Sequence, residues 1–319
     1  MTRIPALAGV SRRHAIQGLA AAAFTGAVTS AWAKAAEPAL TFLAVGDWGR
    51  GGQENQAAVA GQMGLAAAAL DARFVISVGD NFYEDGVQGV DDPQWKTSFE
   101  DVYAAPSLQV PWRVALGNHD YHGDSQAQVD YSAKSRRWRL PSRWYARRET
   151  APDGASLDLF VLDTSPFIRA YHEDGAAKVK VGGQDTDAQL RWFEQALAES
   201  RADWKVVVGH HPIYSGNEVG GSSDLQARID PLLQRHAVRL YLNGHDHDLQ
   251  HVRRGATHYV CTGAGSRVSD ADCRQTPGSD FCASQPGFVA LRLTRRGLRI
   301  AYRDATGAEL HVADIPRKT

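Results

Sequence analysis

Short runs of Val, Leu, Ile and Phe punctuate the chain, and each stops at a polar or glycine residue. Continuous apolar runs of this length read as strands covered on both faces. They are Leu40–Val45 before Gly46 and Asp47, Phe74–Val78 before Gly79 and Asp80, Val114–Leu116 before Gly117 and Asn118, Val206–Val208 before Gly209 and His210, and Leu240–Leu242 before Asn243, Gly244 and His245. Leu159–Leu162, before Asp163, is similar. Helix-like segments lie between several of them, at Gln53–Leu70, Asp185–Ser200 and Ser223–His236, the second with Leu190, Phe193 and Leu197 at helical spacing.

Alternating strands and helices predict an α/β fold. In such sheets ligands bind beyond the carboxyl ends of the strands, which is where this chain places its Asp, Asn and His residues. Three further strands are expected at Phe288–Leu293, Gly297–Arg303 and Glu309–Ile315. They should complete a second sheet, giving a two-sheet β-sandwich flanked by helices. The stretch Ser165–Thr186, with Gly175, Gly182 and Gly183 among polar residues, is the most loop-like and a candidate lid or exposed insertion.

Residues 1–33 read as an export signal. Arg3, Arg12 and Arg13 precede an uncharged, Ala-rich run from Ala15 to Ala33 that ends in Ala31-Trp32-Ala33, a cleavage pattern. Arg12 and Arg13 follow Ser11 ahead of a weakly apolar stretch, which resembles a twin-arginine leader, a signal for export after folding. Gln17, Gly18, Thr25, Gly26, Thr29 and Ser30 interrupt the run and argue against a membrane anchor. With no repeat, low-complexity tract or linker beyond Pro38, residues 34–319 are expected to form a single catalytic domain, soluble after cleavage and periplasmic or secreted.

Composition narrows the partners. The 319 residues hold 35 Lys plus Arg against 36 Asp plus Glu, and cleavage after Ala33 leaves 32 bases against 36 acids. That balance argues against nucleic acid as a structural partner, and oligomeric state is not indicated. Among the 3 Cys, Cys273 and Cys282 are close enough in sequence to bridge a loop in an oxidising compartment, or all three are free.

Half of the 12 histidines sit in three pairs, His119 with His122, His210 with His211 and His245 with His247, each at a predicted strand end. With Asp47, Asp80 and Asn118 they offer imidazole, carboxylate and amide donors suited to Zn, Fe or Mn. This exceeds what one ion needs, and suggests two metals sharing a carboxylate. The blocks run Gly46-Asp47-Trp48-Gly49, Gly79-Asp80-Asn81-Phe82-Tyr83, Gly117-Asn118-His119-Asp120, Val207-Val208-Gly209-His210 and Gly244-His245-Asp246-His247. In this order they resemble the dinuclear metallophosphoesterases, and specifically the small, tartrate-resistant type of purple acid phosphatase. The similarity extends through Phe74–Gln88, Pro111–Asp120, Tyr131–Tyr145 and Gly244–Gln250.

The resemblance implies a four-layer α/β/β/α fold and hydrolysis of small phosphate monoesters by metal-activated hydroxide. It implies that Asp47, Asp80, Tyr83 and His247 hold Fe(III), that Asp80, Asn118, His210 and His245 hold a divalent ion (Fe, Zn or Mn), and that Asp80 bridges them. Many dinuclear phosphodiesterases carry a His where this chain has Gly49, and Tyr83 stands in for it; a phenolate favours trivalent iron and gives a charge-transfer colour. His119 is placed to protonate the leaving group or hold phosphate, or to orient a ligand. The mammalian-like pattern has a further His where this chain has Val219, leaving His211, Asn217 or Glu218 as substitutes. The alternatives are a dinuclear phosphodiesterase or pyrophosphatase, and a non-catalytic phosphate- or metal-binding protein. Arg136, Arg137, Arg139, Arg143, Arg147 and Arg148 either steer anionic substrates or form a solvated, paired surface; Trp48, Trp95, Trp112, Trp138 and Trp144 are expected in the core or at its rim.

Overall fold

The computed structural model describes residues 38–173, 178–216, 220–269 and 273–317. The leader reading over 1–33 falls outside the described residues, as do Asn217, Glu218 and Val219. The first half of the chain contributes strands β1 (Leu40–Val45), β2 (Phe74–Ser77), β3 (Trp112–Val114), β4 (Trp138–Arg139), β5 (Tyr145–Thr150) and β6 (Ser156–Val161). The second half contributes β7 (Trp204–Val208), β8 (Leu240–Asn243), β9 (Leu249–Arg254), β10 (Thr257–Thr262), β11 (Ser279–Ala283), β12 (Gly287–Leu293), β13 (Gly297–Asp304) and β14 (Glu309–Pro316). The α-helices among them are α1 (Gln56–Leu70), α2 (Ser125–Asp130), α3 (Thr186–Glu199), α4 (Ser223–Arg228) and α5 (Asp230–Arg235).

Two seven-stranded sheets result, ordered β14-β13-β12-β1-β2-β3-β4 and β11-β9-β10-β8-β7-β6-β5. The sandwich is as expected, but its assembly is not. The C-terminal strands β12 to β14 extend the first sheet: β12 pairs antiparallel with β1, Leu43 opposite Ala290. They cover the edge of β1 that the parallel run to β4 leaves open. The second sheet starts at β5, so the strand–helix alternation itself divides between sheets, with β6, β7, β8 and β10 forming its parallel run.

Side-chain alternation explains the layers. Along β6, Leu157, Leu159 and Val161 join the core between the sheets, while Phe160 and the following Leu162 face outward to meet Phe193 and Leu197 of α3, Leu225 of α4 and Leu232 and Leu233 of α5. Val59, Ala60 and Met63 of α1 cover the first sheet. The predicted helix over Ser223–His236 breaks into α4 and α5 around Ile229, because Pro231 has no N–H to give and fits only the first turn of a new helix. Helix α1 ends at Asp71, left-handed at φ 50°, whose N–H donates to Ala67 O.

The tryptophans Trp48, Trp95, Trp112 and Trp138 are buried with Phe82, Phe99 and Tyr103 in one aromatic cluster. Trp48 lies 5.9 Å from Trp112 and 6.5 Å from Trp138, ring to ring, while Trp144 packs on Trp192 at 4.8 Å. The arginines are held close to home: Arg137 is buried over the Phe99 ring at 4.3 Å and paired with Glu100, Arg147 reaches Glu149, and Arg148 forms a fork onto Asp158. Cys273 and Cys282 form a disulfide with Cα atoms 5.8 Å apart, and Cys261 is a buried free thiol. In the stretch read as a lid, Ser165–Phe167 forms a helical turn that is buried against the outer core, and residues 174–177 lie outside the described residues.

Candidate metal centre

The carboxyl ends of the two parallel runs meet, and the predicted site residues stand there. Asp47 follows β1, Asp80 follows β2, Asn118 follows β3, His210 follows β7, and His245 and His247 follow β8. Neighbouring loops are tied within each sheet by Asp47 N donating to Gly79 O (3.1 Å) and Gly244 N to His210 O (3.0 Å), and the two sheets are tied to each other by Gly46 N donating to Thr262 O (2.9 Å). Asp47, Asp80 and His245 all occupy the left-handed region, at φ 59°, 48° and 70°. Such residues are uncommon and cost about 1–3 kcal/mol each, and cluster where function demands the geometry. Here the turn reverses each side chain from the strand axis into the shared cleft. Gly117 and Gly244 are required by close approach, since a Cβ at either would fall on the Asp80 or the Asp47 carboxylate.

Two groups of donors result. The Tyr83 phenol oxygen is 3.0 Å from Asp47 Oδ1, 3.0 Å from Asp80 Oδ2 and 3.1 Å from His247 Nε2. One phenol proton can satisfy one acceptor, yet two carboxylates gather around this buried hydroxyl. Asn118 Oδ1 forms the second focus, 3.2 Å from His210 Nε2 and 3.0 Å from His245 Nδ1. Asp80 joins the two, because its Oδ2 is also 3.3 Å from His210 Nε2. Burial alone would disfavour both charges, but the Asp80–His210 attraction outweighs it, holding Asp80 well below the carboxylate range and raising His210 to about 9. Burial, then the Asp47 and Asp80 charges, push Tyr83 well above its ordinary value. A phenol so placed ionises only beside a strong cation, and the oxygen-rich first focus and imidazole-rich second focus fit a hard and a borderline ion respectively.

His210 Nδ1 is 3.1 Å from the Val78 carbonyl, so it carries the proton and leaves Nε2 as donor to the site. His211 lies within 4.8 Å of His210 and His245 by ligand atoms. Both its nitrogens are nonetheless engaged, Nδ1 by Thr164 Oγ1 and Nε2 by Tyr171 OH, each at 2.9 Å. It braces the second focus and is no free acid. His119 is half-buried; its N–H donates to Asp80 Oδ1 (2.8 Å), its Nδ1 is 2.6 Å from the Glu84 carbonyl, and its ring packs on Tyr83 at 4.5 Å. A cleft of about 250 Å³ opens beside His245 and His211, lined also by Ile168, Tyr171, Pro212 and Ser222.

Sequence reasoning gave no role to Asn81 or Asp120, though both lie in the quoted blocks. Asp120, fully buried, accepts from Gly117 N (2.8 Å), Asn81 N (3.0 Å) and Gln128 Nε2 (2.7 Å). Asn81 Nδ2 in turn donates to Ala115 O at 2.9 Å. This buried net locks the loops that carry Asp80 and Asn118, and the signal for it was a carboxylate and an amide beside ligands, both buried.

A sandwich whose strand ends present such a donor set defines a metallophosphoesterase, and the calcineurin-like phosphoesterase family matches residues 40–249. Purple acid phosphatase 4 of Arabidopsis thaliana is 38% identical over 87% of this chain and 84% of its own length. Tartrate-resistant acid phosphatase type 5 of Oryctolagus cuniculus is 36% identical over 90% of this chain and 94% of its own. The solved structure of GAP50, the anchor in the inner membrane complex of Plasmodium, superposes with a TM-score of 0.78 at 26% identity, covering 89% of this chain and 90% of that one. The chain belongs to the purple acid phosphatases, metal-dependent hydrolases of phosphate monoesters. Its ligand set, not its fold, carries the argument for catalysis, since an anchor protein shares the fold.

Proposed function

We propose that this chain is an exported acid phosphatase that holds Fe(III) through Asp47, Asp80, Tyr83 and His247 and a divalent Fe, Zn or Mn through Asp80, Asn118, His210 and His245. The observation that carries this reading is the gathering of Asp47, Asp80 and His247 around the Tyr83 oxygen at 3.0–3.1 Å. Gly49 supports it: a Cβ there would collide with the Asn81 carbonyl, so no side chain can enter from that position, and Gly49 O instead accepts from Tyr83 N at 2.8 Å. The backbone that lacks the phosphodiesterase-type histidine thus positions the phenol.

When bound, the metal pair supplies Lewis acidity, drawing charge from phosphoryl oxygens and making water a nucleophile at acid to neutral pH. The protein supplies the rest. Asp80 lies between the two foci and fixes their spacing. His119, with Nδ1 occupied by the Glu84 carbonyl, keeps Nε2 to hold phosphate or to give a proton to the departing alcohol. The cleft beside His245 receives the organic part of a small ester. His211 is engaged at both nitrogens, so we assign the acid role to His119, a reading that gives a narrower acid–base repertoire than in relatives with a second histidine.

A visible spectrum with metal analysis tests the reading. A tyrosinate-to-iron band, bleached or shifted by mild reduction, with about two metals per chain, is the expected result; two Zn or Mn ions and no band would overturn the Tyr83 assignment. Rates on phenyl phosphate against bis-phenyl phosphate should favour the monoester. For residues 1–33, Arg12 and Arg13 replaced by Lys should retain the protein in the cytoplasm, whereas the unaltered chain is exported and begins at Lys34.

A further inference from the structure

We propose that Arg50 is an electronic tuning residue: its guanidinium lies on the face of the Tyr83 ring and sets both the energy of the phenolate and the reduction potential of the iron it binds. This rests on the reading of Tyr83 as an iron ligand. The Arg50 guanidinium carbon is 3.8 Å from the Tyr83 ring centroid, a close cation–π contact, while the phenol oxygen of that ring faces Asp47, Asp80 and His247. No part of Arg50 needs to touch a metal for its charge to be felt through the ring.

The contact is built. The Arg50 side chain is 11% exposed and its Nη1 donates to Glu84 Oε1 at 2.5 Å. Its Nε donates to Ser266 Oγ at 3.3 Å, and Ser266, fully buried, donates onward to the Asp47 carbonyl at 2.5 Å. The Arg50 N–H is held by Gln56 Oε1 at 3.0 Å. A residue one step beyond the Gly46-Asp47-Trp48-Gly49 block is thereby fastened to the loop after β10 and to the residue after Tyr83. Only a planar, five-donor fork can stack on the ring and reach both partners at once.

The direction of the effect follows from electrostatics. A cation over the ring stabilises electron density there, and the visible transition moves an electron from that ring to iron, so Arg50 widens the gap. The same charge favours the iron state of lower charge, so it raises the reduction potential. Partially desolvated, these terms are larger than a surface charge would give.

The test uses metal-loaded protein, with visible spectra and potentiometric titration on the parent, Arg50→Gln, Arg50→Lys and Glu84→Gln at equal metal content. Arg50→Gln should move the band to longer wavelength and lower the potential. Arg50→Lys should show a smaller displacement in the same sense. Glu84→Gln, which strips Arg50 of its carboxylate partner, should move both the opposite way, and by less because Glu84 is 66% exposed. An Arg50→Gln protein that keeps its iron with band and potential unchanged overturns the proposal. If that variant fails to retain iron, Arg50→Lys and Glu84→Gln decide, and spectra that do not diverge in opposite senses overturn it equally. A parent protein with iron but no band would instead sink the Tyr83 reading, a separate outcome.

Discussion

Two groups of histidines in this molecule resemble each other in composition and differ in wiring. At the strand ends, His210 and His245 converge on one Asn118 oxygen at 3.2 and 3.0 Å, and His210 gives its other nitrogen to a backbone carbonyl. Between β9, β10 and β14, three histidines form a line: His258 Nδ1 is 2.8 Å from His251 Nε2, and His251 Nδ1 is 3.1 Å from His311 Nε2. In the line the neutral rings can take one consistent set of tautomers, with one ring nitrogen donating and its neighbour accepting at each contact, and the buried His251 is thereby engaged at both nitrogens. In the convergent group, two imidazole nitrogens, an amide oxygen and the Asp80 carboxylate face one focus, an arrangement that suits a shared cation. A cluster of imidazoles is therefore not in itself a metal site; what matters is where the unspent lone pairs aim.

The largest expected effect separates the two groups outright. His210→Ala should remove the divalent focus and lower turnover of a monoester by more than about 100-fold, since even changes behind the ligands cost about 10–100-fold. His251→Gln should leave turnover within about twofold, since the partners of His251 are His258, His311 and Asp280 and none of the site residues. Steady-state rates and metal content on both variants make the check; loss of metal from His251→Gln would break the contrast. Next in size is Tyr83→Phe, which keeps the ring under Arg50 and removes only the oxygen. It should abolish the visible band and lower turnover about 10–100-fold, with divalent metal retained.

A smaller effect is expected from Asp120→Asn. Burial, then the nearby Asp80 charge, raises Asp120 to about 7, yet it accepts from Gly117 N, Asn81 N and Gln128 Nε2. An amide of the same size turns one acceptor into a donor against these N–H groups, at about 1–3 kcal/mol. Denaturant unfolding should register that loss, and turnover should fall about tenfold as the loops carrying Asp80 and Asn118 loosen. An unchanged rate would show that Asp80 and Asn118 hold their places without this net.

What could be read from the sequence follows the same division. Strands β1, β2, β7 and β8 were legible because burial on both faces leaves unbroken apolar runs, and all eight singled-out site residues, His119 included, fall within one cleft because each sits within six residues of such a run. Strand β9, with Gln250 and His251 in it, and β10, with His258, were not legible. Gln250 is buried against Asp248 and His251 against His258, so polar side chains interrupt the apolar run that would have marked these strands. The C-terminal strands were visible as elements, but their sheet was misassigned because strand pairing is a long-range choice: nothing in Phe288–Leu293 states that its partner is β1, more than 240 residues earlier. Arg50 escaped notice for a similar reason, since its meaning lies in a ring 33 positions away.

The smallest predicted effect concerns the histidine line and pH. Burial, and after it the neighbouring His258, presses His251 down to about 3, with Asp280 opposing and His311 and Arg253 adding to the depression. Burial, then Arg239 and Arg253, lowers His258 to about 4, and burial lowers His311. An unfolded imidazole takes up its proton near pH 6.5, whereas the folded line resists until far lower. Between those limits the unfolded state binds more protons, so the stability contributed by the line is complete above about pH 6.5 and is lost as pH falls toward about 3–4. For His251 alone the linkage amounts to about 2 kcal/mol at pH 5, or about 4–8 °C in Tm for a domain of this size. His251→Gln, which cannot take a proton, should melt lower than the parent at pH 7.5 but show a shallower fall between pH 7.5 and about pH 5, measured on metal-loaded protein so that His210 and His245 do not titrate. Parallel slopes would mean that His251 is not held neutral by its neighbours, and the distinction between a line that satisfies itself and a cluster that awaits a cation would lose its physical basis. For an acid phosphatase, the predicted slope also means that the line, which begins only four residues after the ligand His247, sets part of the lower pH limit at which the metal-binding cleft stays folded.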